Sequence, residues 1–329
     1  MSVTGERTRR VLVTGLEGFV GQHLVKELAG SKKQELFGSV RRPELAVDSP
    51  LPNDQIFACD LLDPAAVEDL VERIKPESIY HLAGKADLGG SWQEPGDTIR
   101  ANLIGTLNVI QAVLTSSPQC RVLAVSTAGV YGRMLGDQDA LKEDSCIAPL
   151  DPYSVSKAAV ELLCWQYFES HGLQAIIARS FNHIGPGQSP RFLVGRVAKC
   201  IAEIEANVRA PVLALGNLSS RRDFTDVRDV VRAYRALMDR GRAGEVYNVA
   251  SGRAVEIGQV VQSALSFSEV PIRLEAGDDR ARPLDSPVLI GDSSKLRSHV
   301  GWEPTVSIEE SILDALNYAR SRVRDLRSP

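Results

Sequence analysis

Apolar positions along the chain fall into two rhythms that alternate as far as Ser180. Short, unbroken apolar runs such as RRVLVTG, ending at Gly15, and QAIIARS, ending at Ser180, read as strands buried on both faces. ELFGSV, QIFACD, ESIYHLAG and RVLAVST read the same way. Between them lie longer segments with apolar residues at helical spacing. FVGQHLVKELAG closes on Gly30, and DPAAVEDLVERI has Asp63 as N-cap and Pro64 at its first position. TIRANLIGTLNVIQAVL predicts one long helix, and YSVSKAAVELLCWQYFESHG another.

Strands and helices that alternate in this way predict a parallel sheet covered on both faces, a doubly wound α/β (Rossmann) fold. From Phe181 the rhythm breaks into loops rich in Gly and Pro, HIGPGQSPR and GDDRARPLDSP, with short strands such as VPIRLE. The expected division is a dinucleotide-binding domain over 1–180 and a smaller C-terminal α/β substrate domain over 181–225 and 253–329. Residues 226–252 return to the first domain, EVYNVASG (Glu245 to Gly252) supplying a strand.

Composition narrows the classes. A net charge of −4 gives no reason to expect nucleic-acid binding, and the arginines between Arg320 and Arg327 read as a solvated helix face. No apolar run reaches membrane-spanning length, and MSVTGERTRR lacks the apolar core of a signal peptide, so a cytoplasmic protein is expected. Five cysteines scattered singly read as reduced packing residues, and the five histidines form no metal-binding spacing, so no metal site is expected.

The first chemistry is a dinucleotide site. VTGLEGFVG places Gly15, Gly18 and Gly21 between the first strand and first helix, with Phe19 and Val20 opening that helix. Such a turn lets backbone N–H groups and a helix N-terminus approach a pyrophosphate. After the second strand, SVRRPE offers Arg41 and Arg42 and no acid before Glu44. Guanidinium groups suit a 2′-phosphate, so NADP(H) is expected ahead of NAD(H). Asp60 and Leu61 in ACDLLD are placed to meet the adenine, and Leu82, Ala83 and Gly84 in HLAG to let the cofactor lie on backbone.

The second chemistry is proton transfer. VSTAGVYG closes the fifth strand with Thr127, and PYSVSK opens the next helix with Tyr153 and, one turn on, Lys157. A free tyrosine has a pKa of about 10, and a nearby ammonium favours its phenolate. The expectation is that Lys157 lowers the Tyr153 pKa, while Thr127 polarises a substrate carbonyl.

GxxGxxG, HLAG, STAGVYG and YxxxK, in this order, resemble the extended short-chain dehydrogenase/reductases that act on nucleotide sugars (the NAD-dependent epimerase/dehydratase family). The resemblance implies that Thr127, Tyr153 and Lys157 form a catalytic triad. It also implies that Asn102 and Ser180 help build the cofactor site. RSFNHIGPGQ resembles the GDP-mannose branch. That implies a substrate site of Asn182, Leu193, Arg196, Arg222, Arg282 and Asp285, with the arginines on the diphosphate and Asp285 on ribose hydroxyls. The branch's dehydratases carry a glutamate two residues before the tyrosine of VYG, where this chain has Gly129. The expected activity is therefore NADPH-dependent reduction of a nucleotide-linked 4-keto-6-deoxyhexose. The narrowest expectation is GDP-4-keto-6-deoxy-D-mannose going to GDP-D-rhamnose. An NAD-dependent nucleotide-sugar 4-epimerase and a non-catalytic NADP-binding protein of the same fold are the alternatives. The resemblance also implies a homodimer built through helices near Thr98–Leu114 and Tyr153–His171.

Overall fold

The structure, a computed structural model, describes residues 8–30, 33–42, 49–133, 140–276 and 287–325. The first half runs β1 (Arg9–Thr14), α1 (Phe19–Ala29), β2 (Gln34–Val40), β3 (Ile56–Ala58), α2 (Pro64–Ile74) and β4 (Ser78–His81). Short α3 (Leu88–Gln93) and α4 (Pro95–Ile99) lead through a π-helical turn (Arg100–Ile104) into α5 (Gly105–Ser116). Then come β5 (Arg121–Thr127), α6 (Pro152–His171) and β6 (Gln174–Ser180). The second half runs β7 (Asn182–Ile184), α7 (Leu193–Glu205), β8 (Val212–Leu215), β9 (Arg221–Asp226), α8 (Val227–Arg240) and β10 (Val246–Val249). It ends with β11 (Ala254–Glu256), α9 (Ile257–Ser266), β12 (Arg273–Ala276), β13 (Val288–Leu289), α10 (Ser294–Val300) and α11 (Ile308–Asp325).

Among the described residues the main sheet has seven parallel strands in the order β3-β2-β1-β4-β5-β6-β10. Both of its faces are dry. On β1, Val11 and Val13 pack with α1 and α8 through Leu24, Leu28, Tyr234 and Leu237. Leu12 points the other way, with Val67 of α2, Val109 of α5 and Val160 of α6. This is why the strands read as continuous apolar runs. Asp63 caps α2 by accepting the N–H groups of Ala65 and Ala66, as its position before Pro64 predicts. Val246 of β10 pairs with Ile177 of β6, so the EVYNV segment does rejoin this sheet.

A separate core holds the C-terminal elements together, through Val197 and Ile201 of α7, Leu213 of β8, Phe224 of β9, Val260 of α9 and Leu316 of α11. One expectation needs correcting. The helix predicted from Thr98 to Leu114 is helical throughout but not α-helical throughout, because the turn over Arg100–Ile104 is π-helical. A π-turn accommodates one extra residue, and such turns concentrate at functional sites.

Candidate active site

The chain runs outward from β1 to β3 and then returns to β4, beside β1. The carboxyl ends of β1 and β4 therefore form the switch point where doubly wound sheets bind ligands. The turn after β1 is bare backbone by necessity. Gly15 has φ 73°, and a Cβ on it would lie 2.8 Å from the Ala83 nitrogen of the HLAG loop. A Cβ on Gly21 would lie 2.3 Å from the Gly15 oxygen, so glycine there lets α1 close onto the turn. α1 starts at Phe19, with Val20 next, and its N-cap Gly18 supplies no side-chain acceptor for the first N–H groups. These features fit a dinucleotide pyrophosphate.

Arg41 and Arg42 follow β2 and are exposed. The sequence offers no acid at this strand end, but the fold brings one there from the glycine turn. Glu17 Oε1 accepts the Arg41 backbone N–H at 3.4 Å. At the end of β3, Asp60 Oδ1 accepts the Leu62 N–H at 3.0 Å, and the Leu61 carbonyl accepts from Asn108 Nδ2 at 2.8 Å. Leu82 donates its N–H to the Thr14 carbonyl, and Ala83 donates to Thr14 Oγ1.

A buried chain of hydrogen bonds ties these loops to α5. His81 sits between Thr14 Oγ1 (2.9 Å from Nδ1) and Thr106 Oγ1 (3.0 Å from Nε2), and Thr106 donates to the Asn102 carbonyl at 2.6 Å. Burial, with the Lys157 charge adding to it, depresses the His81 pKa to about 3, so the ring is neutral. With Thr106 spending its proton on Asn102, Nε2 carries the imidazole proton and Nδ1 accepts from Thr14.

Thr127, Tyr153 and Lys157 come together beside the switch point. Thr127 ends β5, and its Oγ1 accepts the Gly129 N–H at 3.1 Å and is hydrogen-bonded to Tyr153. Asp151 caps α6 by accepting the Ser154 N–H at 2.8 Å, which fixes Tyr153 in the first turn. Asn102, on the π-turn, donates from Nδ2 to Ser156 Oγ at 2.8 Å, and Ser156 lies immediately before Lys157. Its Oδ1 accepts the Lys85 N–H at 2.8 Å. A Cβ on Gly84 would meet Asn102 Oδ1 at 2.6 Å and Lys157 Nζ at 3.8 Å, so these three positions crowd one spot.

In the structure Lys157 and Tyr153 each have a neighbour of their own on β5. The Lys157 ammonium donates to the Val125 carbonyl at 2.8 Å. Burial pushes the Tyr153 hydroxyl up to about 12, the Thr127 hydrogen bond opposes this, and the Asp151 charge adds to it. Burial lowers Lys157 to about 8, against the pull of Cys164 and Glu161.

Sequence reasoning also missed what lies beneath. Ser126 Oγ is hydrogen-bonded to Glu161, one turn beyond Lys157 on α6. Arg179 of β6 holds the same carboxylate and donates from Nη1 to Tyr131 OH at 2.9 Å. Tyr131 in turn donates to Asn248 Oδ1 of β10 at 2.7 Å. An arginine inside the apolar run QAIIARS was the available signal, since a buried charge needs a partner.

The remaining expected residues are less gathered. Ser180 is buried, with its hydroxyl 2.6 Å from Tyr234 OH of α8. Asn182 starts β7 and is exposed. The loop after it clasps α1: the His183 ring stacks on Phe19 at 6.0 Å, and His23 Nε2 reaches the Pro186 carbonyl at 2.8 Å. Leu193 opens α7 and Arg196 is exposed on it, whereas Arg222 is buried, with Nη1 donating to the Arg221 carbonyl at 2.9 Å. Arg282 and Asp285 lie outside the described residues. At Gly129 a Cβ would stand 2.2 Å from Ser154 Oγ, which itself donates to Asp151 at 2.8 Å. No group of His, Cys, Asp and Glu among the described residues is arranged to hold a metal ion.

The family model described as GDP-mannose 4,6 dehydratase matches residues 12–315. The chain belongs to this family. Within it, the chain is 34% identical to the GDP-6-deoxy-D-mannose reductase of Pseudomonas aeruginosa, over 97% of this chain and 99% of that one. It is 30% identical to a dTDP-glucose 4,6-dehydratase of Xanthomonas campestris pv. campestris, over 93% and 92%. The structure of RMD from Pseudomonas aeruginosa complexed with NADPH superposes with a TM-score of 0.85 at 34% identity, covering 96% of this chain and all of that one. UDP-glucose 4-epimerase of Thermus thermophilus with NAD gives 0.83 at 27% identity, covering 94% and 99%. The proteins similar to this chain thus include reductases, dehydratases and epimerases. The side chains around Tyr153, rather than the fold, must distinguish them.

Proposed function

We propose that this chain is an NADPH-dependent nucleotide-sugar 4-ketoreductase that turns GDP-4-keto-6-deoxy-D-mannose into GDP-D-rhamnose. One observation carries the reading: Thr127, Tyr153 and Lys157 meet beside the dinucleotide turn, while Gly129 offers no acid for eliminating water. The similarity to a GDP-6-deoxy-D-mannose reductase along nearly the whole chain supports the substrate. The NADPH complex of its structural neighbour supports the cofactor.

Gly15, Gly18, Gly21 and the start of α1 hold the pyrophosphate, Arg41 and Arg42 the 2′-phosphate, and Asp60 and Leu61 the adenine. When bound, the reduced nicotinamide supplies hydride to C4 of the sugar. Tyr153, protonated at neutral pH, gives its proton to the carbonyl oxygen, so the ketone becomes a secondary alcohol. Thr127 hydrogen-bonds that oxygen and orients Tyr153. The Lys157 ammonium stabilises the phenolate left behind until solvent returns the proton. Asn102 fixes α6 and the Gly84–Lys85 loop at one distance.

Segments 181–225 and 253–329 form the nucleotide-sugar half, with Asn182, Arg196, Arg222 and Arg282 assigned to the diphosphate, Asp285 to the ribose hydroxyls and Leu193 to the same substrate site. Residues 226–252 belong with 1–180. The protein works as a homodimer joined through the outer faces of α5 and α6.

The test is NADPH oxidation against GDP-, dTDP- and UDP-linked 4-keto-6-deoxy sugars, with the product identified by NMR. Consumption of NADPH with formation of a GDP-6-deoxyhexose alcohol is expected. Interconversion of epimers without added cofactor, or no turnover with any sugar, overturns the reading.

A further inference from the structure

Glu17 belongs to the glycine turn in sequence but to the end of β2 in space. β2 ends at Val40, and the next N–H, that of Arg41, donates to Glu17 Oε1 at 3.4 Å. In dinucleotide-binding folds the end of this strand is where an acid accepts the adenosine ribose hydroxyl, or where an arginine takes the 2′-phosphate in its place. Here both kinds of group occupy one strand end, because the carboxylate arrives from a different element. Glu17 Oε2 is buried and has no hydrogen-bond partner among the described residues. A buried carboxylate oxygen without a donor is costly, and a ribose hydroxyl is a donor of the required kind.

The two groups pull in opposite directions. A 2′-phosphate brought to this strand end meets two exposed guanidinium side chains and one carboxylate. A free 2′-hydroxyl supplies the donor that Glu17 Oε2 lacks, once the carboxylate turns outward from the strand end. We propose that Glu17 sets the selectivity between NADH and NADPH, weakening NADPH by charge repulsion and supporting NADH through the ribose hydroxyl. This rests on the reading that the chain binds a nicotinamide dinucleotide.

The test is direct binding to the purified protein, by titration of NADH and NADPH followed by calorimetry, on the wild type, Glu17→Gln and Glu17→Ala. Gln keeps the size and an acceptor oxygen and removes only the charge. The ratio of the NADH to the NADPH dissociation constant is expected to rise about tenfold in Glu17→Gln, the effect of one charged contact. In Glu17→Ala, NADH should weaken as well. An unchanged ratio in Glu17→Gln, with both cofactors still bound, overturns the proposal and leaves the proposed activity standing. Failure of the wild type to bind either cofactor overturns both. Because Gln preserves shape, it decides the question even if the Ala variant folds poorly.

Discussion

Arg179 grips the Glu161 carboxylate from Nε at 3.0 Å and from Nη2 at 2.7 Å, with the two side chains only 4% and 5% exposed. The pair links β6 to α6 one turn from Lys157, and Glu161 also accepts from Ser126, the residue before Thr127. Removing either partner strands a buried charge. Arg179→Ala is expected to lower stability by about 3–5 kcal/mol in urea unfolding. Replacing both residues by apolar ones of similar volume is expected to lower it by less than Arg179→Ala alone. A loss larger than the single variant's would show that the pair does more than neutralise itself.

Lys157 sets a pH limit. Its folded-state pKa of about 8 lies below the ordinary lysine value, and burial is the main cause. The Tyr153 hydroxyl, pushed up to about 12, stays protonated well beyond that point. The alkaline limb of kcat/KM for ketone reduction should therefore fall near pH 8 and belong to Lys157 rather than Tyr153. Lys157→Met should lose most activity and should lack that limb. The stability sign is opposite. The unfolded chain binds the extra proton above pH 8, so this group's contribution to stability improves as pH rises through that value. Thermal unfolding at pH 7 should find Lys157→Met no less stable than the wild type.

Asn102 joins three parts of the site: Ser156 on α6, Lys85 after β4, and its own π-turn. Asn102→Ala cuts both side-chain links and leaves the Lys85 N–H without its acceptor. A drop in kcat of about a hundredfold is expected, the scale of a small misplacement of reacting groups. The protein should remain folded by circular dichroism. Retention of full kcat would show that the loop and α6 hold their positions without it.

The outer face of α6 carries Leu162 and Trp165, 64% and 57% exposed, with Val155 about two turns before Leu162 at the active-site end. Ile104 and Trp92 are also exposed on the segments that pack beside α6. Large apolar side chains gathered on adjoining elements mark an association surface. Light scattering after size exclusion should give a dimer for the wild type and a monomer for a Leu162→Glu, Trp165→Glu variant.

The strands of the main sheet were legible because burial on both faces leaves them no polar alternation, as Val11, Leu12 and Val13 show. Asp63, Pro64 and the returning strand Val246–Val249 were legible for equally local reasons. The π-turn was not. Its apolar residues keep a helical rhythm, and one extra residue hardly disturbs that pattern. Glu17 escaped because acids were sought along β2, whereas the fold delivers this one from the neighbouring turn. The Lys157–Tyr153 relation was legible only as far as a shared helix face. Helical spacing places two side chains on one face but does not say that the ammonium turns to the Val125 carbonyl. Arg179 carried a readable signal, a charge in a buried strand, whose partner only the tertiary fold identifies.

The π-turn at Arg100–Ile104 has a consequence for chain length. Such a turn is an α-helix holding one residue too many. Deleting a single residue there would mend the helix and leave its hydrogen bonding more regular than before. The helix on either side would keep nearly its present facing, because the wide turn already absorbs the extra residue. Asn102 sits inside the turn, so its side chain is the one whose direction would change, away from Ser156 and Lys85. A one-residue shortening here would yield a soundly folded protein with its site unassembled, so this supernumerary residue is a frame mark for the active site.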